Sequence, residues 1–386
     1  MVKSTKDPKL KIIFIIESVR IGGIERLCFD ESYELISRNI AHEIICLTDE
    51  KIPSGSILEI DGNYPEIKKI NLTFLGNSRS RQILNLLKII RRDKDHHIEI
   101  ISHSTRGAVI ARISTLISLK KINITLFIHQ LISMSDLKQK LKRVMHSFFA
   151  DSVTTSSFQF KLEWESYVKN NLLIKIFYRK KIDFNRMGVH LPRLRDSEKK
   201  GLSNCSSSSL HLLFMSRITT WKGYPIFAGI CDKMASEGTH SVVISNENSR
   251  KDIFRMENYN NHKNHYVPNN GIANIKFFSE IVHLYPTNYG SHISYPQSIG
   301  MNVLECLALG IPSLISHDNY ETWPEFRDNP MVRIVDWQNE NEIVEIIKEL
   351  SKLNQLEKKG HLIILEDAIN IKNHVDKILR LSSIEN

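Results

Sequence analysis

The chain has 386 residues and a mass of 44.6 kDa, more than one hydrophobic core usually organises, so two domains of roughly 190 residues are expected. Its 41% apolar and 25% charged residues and its mean hydropathy of −0.23 exclude a disordered, collagen-like or membrane-spanning chain. The net charge of +9 is split unevenly, with 35 Lys and Arg against 22 Asp and Glu in residues 1–200 and 17 against 21 beyond, and a basic half points to nucleic acid, an anionic membrane surface or a phosphorylated substrate.

Taken in chain order, Lys11–Glu17 (KIIFIIE) reads as a buried strand. Its apolar run is too short for a spanning helix or for the core of a signal peptide. Ile24–Asn39 reads as the following helix, His42–Thr48 as a second strand and Gln82–Arg92 as a helix with apolar residues at 3–4 spacing. Ile98–His103 and Asn123–His129 read as strands around a helix at Arg106–Ser118, and Ser152–Ser156 as another strand. Near Lys199–Ser209 (KKGLSNCSSSS) the composition becomes that of a linker. Beyond it, Leu210–Met215, Ser241–Ser245, His292–Tyr295 and Pro312–Ser316 read as strands. Pro225–Ser236 and Met301–Leu309 read as helices, and Glu342–Arg380 as largely helical.

Strands alternating with helices mean parallel βαβ units with helices on both faces of a sheet. The expected organisation is an α/β chain of two doubly wound, Rossmann-like domains at residues 1–198 and 210–362. A linker at 199–209 joins them, and a last segment follows at 363–386. Ligands of such sheets bind at the carboxyl ends of strands, so a cleft between the two sheets is the expected site. Five cysteines (Cys28, Cys46, Cys205, Cys231, Cys306) are scattered, odd in number and without a CxxC pair. The expectation is a reduced, cytoplasmic chain with neither disulfide framework nor zinc site.

Three segments carry candidate chemistry. Arg20-Ile21-Gly22-Gly23-Ile24-Glu25 opens a helix after the first strand. It is read either as a turn that admits an anion at a helix N-terminus or as a plain βα turn. Arg217 and Lys222, followed by Gly223, bracket the turn after the first strand of the second domain, where two cations can clamp a diphosphate or simply be solvated. The third segment is Tyr295–Pro312, in which Glu305 is the single charge of an apolar helix that opens at Gly300. A buried carboxylate needs a partner, and either a ribose diol or a structural cation would supply it. Asp93-Lys94-Asp95 lies in a charged run and reads as surface rather than a metal site, and the sixteen histidines contain no HxxxH or HExxH.

Together these segments resemble retaining glycosyltransferases of the GT-B fold, of the family-4 type that builds bacterial surface polysaccharides such as lipopolysaccharide. The resemblance is carried by the GGxE turn, by Arg217-x4-Lys222-Gly223 and by the Gln297…Glu305 helix ending in Gly310-Ile311-Pro312. Ile101–Ala108 and Asp151–Phe158 extend it over most of the chain, while Lys180-Lys181-Ile182-Asp183 matches the family's N-G-V-D only in degenerate form. The resemblance implies a nucleotide-sugar-dependent, metal-independent hexosyltransferase that needs no cofactor, whose last helix, within 363–386, packs back on the first domain. Arg217 and Lys222 would hold the diphosphate with Gly22, Gly23, Gly300, Met301 and Asn302, Glu305 would bind the ribose, and His129 would lie near the transferred sugar. Gln297 stands where the family has the first acid of an E-x7-E pair, so that position carries no negative charge here. The implied partners are a nucleotide-diphosphate sugar and a glycan or lipid-diphosphate-linked acceptor at an anionic membrane surface, with no nucleic acid. The location would be peripheral at the inner face of the plasma membrane. The alternatives are a GT-B-like nucleotide-sugar epimerase and a non-catalytic partner in glycan assembly.

Overall fold

The structure is a computed structural model. It describes residues 9–19, 22–48, 58, 64–129, 137–171, 174–175, 178, 180, 182–196, 210–216, 218, 222–245, 264–268, 280–286, 299–316, 322–353 and 355–383. Residue contacts divide the chain into two units. The first holds residues 1–56, 65–187 and 371–386, the second residues 57–64 and 188–370. The chain therefore changes unit at Met187–Gly188, ahead of the serine-rich stretch 199–209, which lies outside the described residues. The last return to the first unit begins at Ile371.

The first unit is built on seven parallel strands: β1 (Lys9–Ile16), β2 (Ala41–Cys46), β3 (Leu72–Phe74), β4 (His96–Ser102), β5 (Asn123–Ile128), β6 (Ser152–Thr155) and β7 (Ile182–Phe184). Their order is β3-β2-β1-β4-β5-β6-β7. Strand β1 is central, with Phe14 in register with Ile44 on one side and Ile101 on the other. A strand covered on both faces must be apolar at successive positions, and Ile12–Ile16 are fully buried. Helices α1 (Gly23–Ser37), α2 (Arg79–Arg92), α3 (Thr105–Ser118), α4 (Leu137–Ser147) and α5 (Phe158–Asn170) connect these strands. Serines set three of their starts. The hydroxyls of Ser78, Ser104 and Ser157 accept from the backbone N–H of Arg81, Gly107 and Phe160.

The second unit holds β8 (Leu210–Met215), β9 (His240–Ser245), β10 (Asn264–Pro268), β11 (Glu280–Tyr285), β12 (Ser313–Ile315) and β13 (Val332–Ile334), all parallel in the order β10-β9-β8-β11-β12-β13. Its helices are α6 (Leu191–Asp196), α7 (Tyr224–Met234), α8 (Met301–Ala308), α9 (Glu340–Ser351) and α10 (Gln355–Ile369). Phe214, Phe227, Val282, Leu314 and Ile343 anchor its core. Helix α11 (Ile371–Ser383) then packs on α1 in the first unit. In both sheets the strand order reverses once, between β1 and β4 and between β8 and β11. Those reversals open a crevice at the strands' carboxyl ends.

The alternation read from the sequence is present, with differences. Strands β3, β7, β10, β11 and β13 and helices α4, α5 and α6 were not anticipated, the strands and α6 being short. The expected strand His292–Tyr295 lies outside the described residues. The terminal helical stretch is three helices starting at Glu340. Cys28, Cys46, Cys231 and Cys306 are free and buried. Among the described residues no helix is long and apolar enough to cross a membrane.

Candidate active site

At the reversal of the second sheet, several segments meet at the carboxyl ends of β8 and β11. Gly223 starts α7 with φ +76°, a left-handed conformation that favours glycine. A Cβ at this position would stand 2.3 Å from the carbonyl oxygen of Pro286, so the β8 loop touches the end of β11 backbone to backbone. The neighbouring Lys222 places its Nζ 5.7 Å from the centre of the Tyr285 ring. Gly300 starts α8 beside the hydroxyl of that ring, and a Cβ there would lie 2.8 Å from Tyr285 Oη and 2.3 Å from Asn302 Oδ1. Asn302 Nδ2 donates to the carbonyl of Met215 at 2.6 Å, which ties the start of α8 to the end of β8. An ammonium and two helix N-termini are thus gathered around one tyrosine. Such an edge, with N–H groups lacking intrahelical partners and the positive ends of two helix dipoles, suits an anion.

Of the residues singled out in this unit, Lys222, Gly300 and Asn302 are brought together. The side chain of Met301 is buried in the core, leaving only its backbone to meet a ligand. Arg217 and Gln297 lie outside the described residues. Glu305 is buried as expected, but its Oε1 stands 2.7 Å from Nη2 of Arg193 on α6. The partner that burial demands is therefore present in the protein, and the burial of Glu305 needs no ligand to explain it.

In the first unit the corresponding edge joins the ends of β1, β4 and β5. Gly22 and Gly23 open α1, and the carboxylate of Glu25 folds back over Gly22, where a Cβ would meet Glu25 Oε2 at 2.3 Å. An acid at the third helical position does this commonly. A phosphate at this helix start has to share the site with that carboxylate. Glu17, just past β1, accepts from the Ser104 hydroxyl and lies 3.2 Å from Arg106 Nη2. His129 follows β5, half-buried, with its Nε2 3.0 Å from His103 Nδ1 and the two rings stacked at 5.2 Å. Burial, above all, pushes the His129 imidazole well below its usual range, which favours the neutral ring.

Ligand atoms of Cys28, Glu31 and His103 lie within 4.8 Å of one another, a grouping that invites a metal. Glu31 and His103 already satisfy each other at 3.1 Å, and burial followed by the charge of Glu31 pushes the Cys28 thiol up, away from the thiolate a metal needs. The Asp93 of the D-x-D run is not a solvated surface acid. Its Oδ2 pairs with Lys11 at 2.6 Å and with Arg92 at 2.8 Å, in a network that also holds the buried Glu43.

No protein-family model matches the chain, and no curated protein matches its sequence. Solved structures do match in shape. The Anabaena protein HepE, solved with UDP and glucose, is 13% identical with a TM-score of 0.68, over 97% of this chain and 100% of that one. A glycosyltransferase from Rickettsia africae is 15% identical with a TM-score of 0.70, over 97% and 98%. An alpha-glucosyltransferase solved with UDP-glucose and DNA containing an abasic site is 14% identical with a TM-score of 0.66, over 98% and 100%. The fold is GT-B.

Within this GT-B chain, sequence reasoning missed Tyr285, Arg193, Glu31 and His103. Tyr285 closes EIVHLY, a run whose Glu and His mask its apolar alternation. The Pro after it, at a strand's carboxyl end, was the available signal. Arg193 sits in LPRLRD, a segment with no periodicity to place it on a packed helix. Glu31 had a sign of its own: it belongs to an acid-rich helix, FDESYE, whose residues 26–35 are all buried.

Proposed function

We propose that the protein is a retaining hexosyltransferase. It moves a sugar from a nucleotide diphosphate sugar to a glycan or lipid-diphosphate-linked acceptor in bacterial surface polysaccharide synthesis, such as that of lipopolysaccharide. The observation that carries this reading is the meeting of Lys222 with the helix N-termini at Gly223 and Gly300 at the carboxyl ends of β8 and β11. HepE, which shares the fold, has been solved with UDP-glucose.

Breaking the bond between sugar and diphosphate leaves negative charge on the phosphate and positive charge on the sugar. Lys222 and the amides at Gly300 and Met301 are suited to stabilise the leaving phosphate, with Arg217 as the second cation that the family pattern supplies. Two cations with helix termini are enough to balance a diphosphate, so the reading requires no metal and no cofactor. Glu305, paired with Arg193, would accept hydrogen bonds from the ribose hydroxyls, and Gln297 would hold a sugar hydroxyl without adding charge. No nucleophile of the protein enters. The acceptor oxygen bonds to the anomeric carbon on the face that the phosphate leaves, and its proton passes to that phosphate.

The excess of 19 Lys and Arg over 7 Asp and Glu in residues 101–200 supports an acceptor at an anionic membrane surface on the cytoplasmic side rather than a nucleic-acid partner. Leu116 and Leu119 at the end of α3 and Leu141 and Met145 on α4, two helices that pack together, are all more than half exposed, beside the exposed Lys121 and Lys142. Co-sedimentation with vesicles rich in anionic lipid, lost at high salt, is the expected behaviour.

A thermal-shift screen of UDP, GDP, TDP and CMP sugars tests the donor assignment, because a ligand that binds only the folded state raises Tm. One nucleotide class is expected to do so and to yield a transferred sugar of unchanged anomeric configuration. A chain that no nucleotide sugar stabilises and that hydrolyses none of them is not a glycosyltransferase.

A further inference from the structure

The first unit contains a hydrogen-bonded series of imidazoles that ends on His129. Glu31, in the middle of α1, has no exposed surface. Its Oε2 stands 3.1 Å from His103 Nε2, and its Oε1 stands 2.6 Å from Nε2 of His374 on α11. His103 Nδ1 is 3.0 Å from His129 Nε2, and His374 Nδ1 is 2.8 Å from the carbonyl oxygen of Arg186. The buried ring of Phe127 braces all three imidazoles. It stacks on His129 at 4.7 Å and on His103 at 5.4 Å, and tilts over His374 at 5.4 Å. Phe127 and His129 fall on the same face because side chains two apart on an extended chain point the same way.

These partners assign the protons. A backbone carbonyl only accepts, so His374 Nδ1 carries a proton. A carboxylate also only accepts, and Glu31 is ionised: burial pushes its carboxyl up, but His103 and then His374 hold it down at about 2. Nε2 of His374 and Nε2 of His103 therefore both donate to it. His374 is then an imidazolium that balances Glu31. A second imidazolium at His103 would leave a net charge at a cluster whose one hydrogen-bonded acid, among the described residues, is Glu31, which burial opposes. Cys28, the remaining titratable group at the cluster, stays a neutral thiol. A neutral His103 protonated at Nε2 offers a lone pair at Nδ1, so His129 must donate through its own Nε2. That leaves His129 Nδ1 as a bare lone pair, and this atom is buried with no hydrogen-bond partner among the described residues. A buried acceptor without a partner calls for a donor from a ligand or a water.

We propose that Glu31, acting through His103, fixes His129 in the tautomer whose Nδ1 is proton-free, and that this nitrogen accepts a hydrogen bond from a hydroxyl of a polyol ligand. The ligand class rests on the glycosyl-transfer reading; the tautomer does not. Glu31 and His103 are positioning residues, and His129 is the one that meets the ligand. His374 ties the last helix of the chain into the same series, so the return of α11 to the first unit also holds the carboxylate that orients His103.

The test is a nitrogen-15 histidine spectrum of the full chain, in which long-range proton–nitrogen correlations show which ring nitrogen bears the proton. His129 is assigned by comparison with His129→Gln. The expected spectrum at neutral pH has a neutral His129 with its proton on Nε2. Glu31→Gln keeps that pattern, because the amide oxygen still accepts from His103. Glu31→Leu and His103→Phe lose it, the His129 nitrogens moving toward a mixture of tautomers. A wild-type His129 protonated at Nδ1, or at both nitrogens, overturns the proposal. So does His103→Phe with the wild-type His129 pattern unchanged. Where Glu31→Leu does not fold, the wild-type spectrum and His103→Phe still decide. The readout needs no substrate, so its failure is separate from failure of the transferase reading. Given a donor found by thermal shift, addition of that nucleotide sugar is expected to move the His129 Nδ1 signal most.

Discussion

Arg193 Nη2 stands 2.7 Å from Glu305 Oε1, and the two side chains are only 5% and 7% exposed. Each charge lies in the core of the second unit with the other beside it. Removing one of two such partners strands the other, which costs about 3–5 kcal/mol, whereas replacing both by apolar groups is often neutral. Arg193→Leu is therefore expected to destabilise the second unit by about that amount in urea unfolding, and Arg193→Leu with Glu305→Leu to recover most of it. A cost below about 1 kcal/mol for the single variant, the range of exposed pairs, would remove the pair from the core of the unit.

Lys222 leans over the Tyr285 ring, beside the helix starts at Gly223 and Gly300. In the proposed reaction it meets charge that grows toward the transition state. Lys222→Ala should lower turnover by about 10²-fold or more. Tyr285→Leu, which removes the ring that positions the ammonium, should lower it less. Near-normal sugar transfer by Lys222→Ala would take Lys222 out of the mechanism.

The two glycines of the site respond differently to an added methyl. Gly223→Ala forces a side chain into a left-handed conformation and into the Pro286 backbone, which cannot move away alone. It should cost about 2 kcal/mol or more and lower Tm. Gly300→Ala meets the ends of the Tyr285 and Asn302 side chains, which can swing aside. Its expected signature is a nearly unchanged Tm with weaker binding of nucleotide sugar by calorimetry, since the bond from Asn302 to Met215 is the one displaced.

The parallel architecture was legible in the sequence because buried parallel strands are continuous apolar runs, and KIIFIIE and LHLLFM can be little else. Glycines at helix starts and Lys222 were legible for a related reason, since turn chemistry is local. What stayed hidden were pairings between distant segments. Arg193 meets Glu305 across 112 residues, and His374 meets Glu31 across 343. The sequence marked Glu305 as a charge in need of a partner but could not say whether that partner was a ligand or an arginine.

Asp93 supplies a pH test of the first unit. Burial pushes its carboxyl up, but the hydrogen bonds from Arg92 and Lys11 more than offset this and hold it at about 2, against an ordinary 3.8. The buried Glu43 in the same network is held down as well, with Lys11 and Thr73 opposing its burial. An acid whose folded value lies below its unfolded value stabilises the protein fully above the unfolded value. That stability is lost as pH falls through the folded one. The contribution of Asp93 is thus present at neutral pH and fades from about pH 4 to about pH 2. Asp93 is only 12% exposed on its side chain, so solvent screens the effect little, and it corresponds to about 2 kcal/mol. Asp93→Asn should lower stability at neutral pH by about this amount and flatten the acid limb of the urea midpoint. Glu31 is also held at about 2, so part of the acid loss should persist in Asp93→Asn. A variant with the full wild-type acid slope would place Asp93 outside the network that binds β1 to β2 and the end of α2.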